Sequence, residues 1–437
     1  MKNAINYLLM LCIGINVTST NYLISNFINI SGQSVSLIIN IICLIIITPY
    51  ISSLLKIRVY FISILLILVI PLVSYVINYH GQDYSGLLFW LKRAVSGVIT
   101  IGAGIILFTR VQKLTLVYFA ETIFIIISSC ILLSWSYPIE ALYFFTGADE
   151  VRWGDLSTIN TIAPSGTFID VNNTGVALVG SYLVCHTMYI LAKGQVNDTL
   201  LHIVFFDALL SICILIGGSR STMIIGSLCL AIIYIVRIKK IFDKKNITVK
   251  KKVILNILFL AFGIILLANI FPNIFANIFG SYGAERIYGY INGNESNSAF
   301  ESSELRVEAA KYALNLFSNN LFGISFDAVE LQGVILPHNM FIYYAVTNGL
   351  VALIFYIYAI YAIICSVNKR RLQWLSGCYL VVIIGFSLFL HTFIEHKTFP
   401  LLIMGVIYLF LDDSSSFPHK MSIFRDALKC NPIPKIH

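Results

Sequence analysis

The feature that most constrains this chain is the unbroken apolar run, such as "ISILLILVIPLVSYVIN" at residues 62–78, and its recurrence along the sequence. About 20 apolar residues are the length a helix needs to cross a hydrocarbon core, and in lipid every backbone N–H and C=O must be satisfied within the segment. Twelve such runs can be drawn, at about 5–24, 35–55, 59–77, 87–108, 114–133, 174–191, 200–216, 222–236, 253–270, 341–365, 375–394 and 399–411. Composition agrees: 58% of residues are hydrophobic and 11% are charged, against roughly 25% charge in soluble domains. The expected fold is all-α, a polytopic integral membrane bundle of about twelve helices forming one membrane domain over 1–437. The first run reads as a span and not as a secretory leader, because Asn16–Asn21 offers no small-residue cleavage site.

Basic residues orient the bundle. With the N-terminus in the cytoplasm, 21 of the 29 Lys and Arg fall inside, including the run "RIKKIFDKKNITVKKK" at 237–252. Eight remain outside: Lys92, Arg93, Arg152, Arg220, Arg286, Arg306, Lys311 and Lys397. That asymmetry satisfies the positive-inside rule with both termini cytoplasmic. The net charge of +8 is therefore topogenic, and a basic run between two apolar spans is no nucleic-acid patch. Eight of the nine cysteines lie in spans, with Cys430 in the tail, and no CxxC or Cys/His spacing suggests a metal. The reading therefore includes no metal and no cofactor.

Two outer connections are too long for a compact bundle, about 134–173 and about 271–340, and loops of that length are usually functional. Both interleave aromatic and aliphatic residues, so short surface helices are expected and a separate soluble domain is not. In the second, residues 302–320 carry Glu304, Glu308, Lys311 and Asn315 on one helical stripe. Arg306 lies about 200° around the wheel, beside Ala313 and Phe317, and is expected to point into the protein. There it could pair with a nearby Glu or hold an anion. "GGSRSTMIIG" at 217–226 places Arg220 in a tight outer turn whose Ser221 or Thr222 could cap the next helix. The same arginine could anchor to lipid headgroups. "LPHNMF" at 336–341 puts His338 and Asn339 at the start of a span, where partial positive charge favours a neutral imidazole suited to a general base. Glu121 and Asp207 are the acids that lie well inside spans, with local hydrogen bonding as their plain role. A polysaccharide flippase or secondary transporter, the alternative from another class, would carry its ionisable residues along the midplane and show an internal repeat, and no convincing repeat is found.

"GGSRST", the arginine-bearing loop with "NLFGISF", then "PHNMFIYYAVTNGLVALIFY", resemble the O-antigen polymerase and O-antigen ligase superfamily of bacterial inner membranes. "PSGTFIDVNNTG" at 164–175 is similar to a Gly-[Thr/Leu]-Phe-x-x-x-Asn stretch of that superfamily, with "DVNN" where Pro-Asn is common. The resemblance covers about residues 160–411 and implies metal-independent glycosyl transfer at the periplasmic face from undecaprenyl-pyrophosphate-linked oligosaccharide. It implies Arg220 and Arg306 on the pyrophosphate and His338 as the base. Asn339, Arg152, Arg93 and Arg286 are the expected substrate contacts. Polymerase is preferred over ligase, because the chain is rich in Ile, Asn and Tyr and its loops look tailored to one glycan. The partners expected are the lipid-linked glycan, membrane lipids and a chain-length regulator protein.

Overall fold

A computed structural model describes residues 2–28, 30–78, 85–137, 141, 144–145, 166–168, 171–192, 200–217, 219–243, 297–326, 328, 331, 337–365, 370–390 and 398–413. Among them there is no strand. The helices are α1 (Lys2–Thr18), α2 (Asn21–Ile28), α3 (Gly32–Leu55), α4 (Arg58–Ile77), α5 (Ser85–Arg110), α6 (Lys113–Ser136), α7 (Val171–Leu191), α8 (Leu200–Gly217), α9 (Arg220–Asp243), α10 (Asn297–Asn319), α11 (Met340–Ile364), α12 (Arg370–Phe389) and α13 (Phe399–Asp413).

Seven of these are long and apolar enough to cross a membrane, or eight if the bent pair α1 and α2 is one span. Apolar stretches of α8, α9 and α13 are shorter than that measure, and the expected ninth span at 253–270 lies outside the described residues. The structure differs from the expected first span: the chain breaks at Ser19 and Thr20, and α2 turns by 109°. The break is held by hydroxyls, since Thr18 Oγ1 bonds the Gly14 carbonyl at 2.7 Å and lies 3.0 Å from Thr20 Oγ1. Thr167 donates to the Thr18 carbonyl from across the bundle. Inside α4, one wide π-turn at Leu65–Val69 absorbs the N–H that Pro71 cannot supply.

Neighbouring helices alternate in direction, and cross-links fix their register. Lys92 reaches Gln33 at 3.3 Å, and Ser96 donates to Asn40 at 3.1 Å, so α3 and α5 run parallel. Ser74 meets Thr347 and Arg58 meets Tyr358, so α4 and α11 run antiparallel. One end of the bundle, called upper below, is therefore where α1, α4, α6 and α8 finish and α3, α5, α7, α9 and α11 begin. The hub is α7, which packs against α6, α8, α9, α12 and α13. Without a hydrophobic drive between helices in lipid, small residues and interhelical hydrogen bonds hold such a bundle. Asn16 accordingly bonds Asn40 and Thr100 to join α1, α3 and α5, while Thr187 meets Tyr379 and Tyr356 meets Ser387.

The two acids inside spans are both engaged. Asp207 of α8 accepts from Tyr182 of α7 and Arg237 of α9. His186 lies 2.9 Å from Tyr182 and 3.1 Å from Arg237. Glu121 accepts from Tyr189.

Candidate functional site

The first two motifs of the resemblance meet at the upper end. Asn172, in the first turn of α7, accepts from Ser219 Oγ at 2.7 Å and from Ser221 Oγ at 3.0 Å. The two hydroxyls are also 3.0 Å apart. They flank Arg220, the first residue of α9, so the backbone that presents this arginine is pinned on both sides. The cap of α9 is Ser219, whose Oγ accepts from the Thr222 N–H at 3.4 Å, and not Ser221 or Thr222 as the sequence suggested. Close packing of α7 on α9 depends on Gly175, where a Cβ would stand 1.7 Å from Thr222 Oγ1. Two helices thus begin side by side, and their first-turn N–H groups and partial positive charge favour an anion above them.

The second component is the start of α11. Asn339 caps it: Oδ1 accepts from the N–H groups of Phe341 at 3.0 Å and Ile342 at 3.2 Å. This corrects the expected role, since the carbonyl oxygen is committed to the helix and only the amide nitrogen is left to orient an imidazole or a substrate. His338 immediately precedes the cap and is half-buried, behind buried Pro337.

A third component was not singled out in the sequence as a site. Helix α11 breaks at Gly349, with φ 88° and ψ 175°, and the segment after α10 crosses it there. Ile324 and Ser325 donate to the carbonyls of Val346 and Thr347, each at 2.9 Å, and Leu350 donates to the Leu321 carbonyl at 2.8 Å. Gly323, at φ 87°, faces Gly349 so closely that a Cβ on either would stand under 3.0 Å from the other's backbone neighbourhood. Both positions need glycine for conformation and for space. Ser74 Oγ adds a 2.6 Å bond to the Thr347 carbonyl, and Phe326 stacks on Tyr75 and Trp90 at 5.6 and 5.1 Å. "NLFGISF" and "YYAVTNGLV" are one structural unit in this fold.

The expected cations are distributed unevenly. Arg306 shares a stripe of α10 with buried Ala309 and Ala313, as the helical wheel required, yet its side chain is exposed and not inward. The stripe is covered only toward the C-terminal half of α10, which ends at the α11 crossing. Arg306 stands roughly 20 Å back along the axis. Arg93 is exposed in the third turn of α5. Arg152 and Arg286 lie outside the described residues. Among the described residues no group of three His, Cys, Asp or Glu is placed to hold a metal ion. Asn172 was not singled out in the sequence, where "DVNN" stands in place of the superfamily's Pro-Asn, yet it is a half-buried polar anchor in the first turn of α7.

Fold and site define a class first: a multi-pass helical membrane protein whose polar motifs converge at one end. Residues 205–357 match the model of a family described as O-antigen ligase, which covers polymerases as well as ligases, and this supports the likeness to the O-antigen polymerase and ligase superfamily. The match runs from α8 to α11 and includes Ser219–Thr222, Arg306, His338 and the Gly349 break. No curated protein matches the chain significantly.

Proposed function

We propose that this protein is an O-antigen polymerase that transfers an undecaprenyl-pyrophosphate-linked glycan onto a new lipid-linked repeat unit, without a metal, at the periplasmic face of the inner membrane. The observation that carries the reading is the pinning of Arg220 by Asn172, Ser219 and Ser221 at the same bundle end as His338. In this reading the arginine and the paired helix starts hold the pyrophosphate and stabilise its charge as it leaves. Arg306, exposed on α10, closes on the pyrophosphate from the solvent side. His338 takes the proton of the attacking sugar hydroxyl. The donor keeps its lipid in the bilayer, and Arg93, Arg152 and Arg286 contact the glycan or the carrier.

The description of the matching family favours a second reading, transfer to lipid A-core by a ligase. Deletion of the gene followed by gel analysis of surface polysaccharide separates the two. A lost ladder with one repeat unit still on the core supports the polymerase; a core with no attached unit supports the ligase. An unchanged ladder rejects both. Topology is tested by a cysteine at Ser303, which should react with an impermeant thiol reagent applied from outside, while native Cys365 should not. The reverse labelling would invert the bundle.

A further inference from the structure

The segment that follows α10 meets α11 well below the upper end of the bundle. Helix α11 begins with Met340, and Leu350, whose N–H donates to the Leu321 carbonyl, stands ten residues on, roughly 15 Å down the axis. Helix α4 gives a similar depth. Its Ser74 bonds the Thr347 carbonyl three residues before the helix ends at Ile77, and exposed Val73, Val76 and Ile77 keep that end apolar. Leu350 lies three residues below Thr347, so its contact with Leu321 falls about 9 Å beneath the apolar end of α4. The pairing also gives a direction, because Leu321 meets Leu350 whereas Ile324 and Ser325 meet Val346 and Thr347. The chain is deepest just after α10, turns there, and climbs back beside α11.

The backbone and the side chains of this turn both suit hydrocarbon. In lipid, irregular backbone must find its partners within the protein. The break at Gly349 takes the Leu350 N–H from its helical acceptor, the Val346 carbonyl, and gives it to Leu321, while Val346 and Thr347 accept from Ile324 and Ser325 instead. The end of α10 is closed by its own residues: Asn320 Nδ2 donates to the Leu316 carbonyl at 3.0 Å, Ser318 Oγ to the Asn315 carbonyl at 2.8 Å, and the Gly323 N–H to the Asn320 carbonyl at 2.9 Å. The side chains of the turn, by contrast, are open and apolar. Phe322 is 84% exposed, and Leu321 is exposed together with Leu350 and Val351 at the same level of α11. From Tyr312 to Phe326 the sequence carries no charge.

We propose that the second long connection is re-entrant: α10 descends into the upper leaflet, the Leu321–Phe322 turn lies among lipid acyl chains, and the chain returns beside α11. The partner of this surface is the bilayer itself. An anchored foot would also fix the height at which α10 carries Arg306. The proposal rests on the membrane-spanning fold and not on the glycosyl-transfer reading, so either can fail alone.

The test places a nitroxide at Phe322→Cys in the full chain, with Cys365→Ser and Cys430→Ser, in nanodiscs of phosphatidylethanolamine and phosphatidylglycerol. Val351→Cys on α11 and Glu308→Cys on the polar stripe of α10 are the references. Oxygen, which concentrates in hydrocarbon, should relax the Phe322 label several-fold more than a water-soluble nickel chelate does, as at Val351, with the order reversed at Glu308. Nickel access at Phe322 equal to that at Glu308 would put the turn in water and overturn the proposal. Low access to both reagents would mean that another segment or a second copy covers the turn, and overturns it too. A second measurement needs no label: Phe322→Glu should lower the yield of folded protein several-fold and Phe322→Leu should not, because a carboxylate in hydrocarbon is costly. Equal yields of the two variants would count against insertion.

Discussion

The upper and lower ends of this bundle solve the cost of polar groups in opposite ways. At the lower end one acid and one base cancel: Asp207 is gripped by Tyr182 and Arg237 with His186 against them, Arg237 lies over the Tyr234 ring at 5.4 Å, and neutral Tyr50 holds Arg110. At the upper end the groups that anchor helix starts and breaks are neutral amides and hydroxyls, as at Asn172, Ser219, Asn339 and Thr167. A closed ion cluster seals its end, because each charge already has its counter-charge. Helix starts fixed by neutral groups keep their partial positive charge for a visitor. On the glycosyl-transfer proposal, the contrast would let one chain hold an anionic leaving group at one face without opening a polar path to the other.

Four substitutions break or sharpen that contrast. The largest effect is expected from His338→Ala, which should lower glycan transfer about 10²- to 10⁴-fold while expression and carrier binding persist. Transfer at a near-normal rate would make His338 a loop anchor and erase the functional side of the contrast. Next is Asp207→Ala, which strands Arg237 and should cost about 3–5 kcal/mol of stability, read as a lower melting temperature in detergent, with turnover per folded molecule unchanged. Lost turnover in a well-folded variant would mean that the lower cluster takes part in the chemistry.

Asn172→Ala removes the shared acceptor of Ser219 and Ser221. A stability loss of about 1–3 kcal/mol is expected, with transfer reduced on the order of tenfold to a hundredfold by misplacement of Arg220. A stable variant with full activity would show that the turn does not depend on this network. The smallest effect belongs to Asn339→Ala, about 1 kcal/mol from a lost cap. Asn339→Ser should restore both stability and activity. If the serine variant is stable but transfers no glycan, the amide nitrogen serves the substrate directly.

The sequence showed the helices well, because about 20 apolar residues leave the backbone little alternative in lipid. It did not show where helices break. The elbow after α1 lies in "NVTSTN", where no proline or glycine marks it and where Ser19 takes φ 55° without being glycine. The break in α11 was legible in "TNGL", a turn dipeptide inside an apolar run, but the run itself argued for one continuous span. Arg306 illustrates the reach of periodicity: the wheel assigns the correct stripe, but how far along the helix that stripe is covered depends on what packs there. Contacts such as Asn172 with Ser219 join residues 47 apart, and no local pattern encodes that pairing.

The crossing of Gly323 and Gly349 also fixes an order of assembly. Ser74 and its partner Thr347 are 273 residues apart, so at synthesis rates of about 5–20 residues per second α4 is in the bilayer for roughly 15–55 s before its partner exists. During that interval the face carrying Ser74 and Tyr75 meets lipid or a temporary neighbour. The upper end near α4 and α5 therefore cannot close until α11 is made, and a ribosome stalled before α11 would leave that face as a signal for quality control.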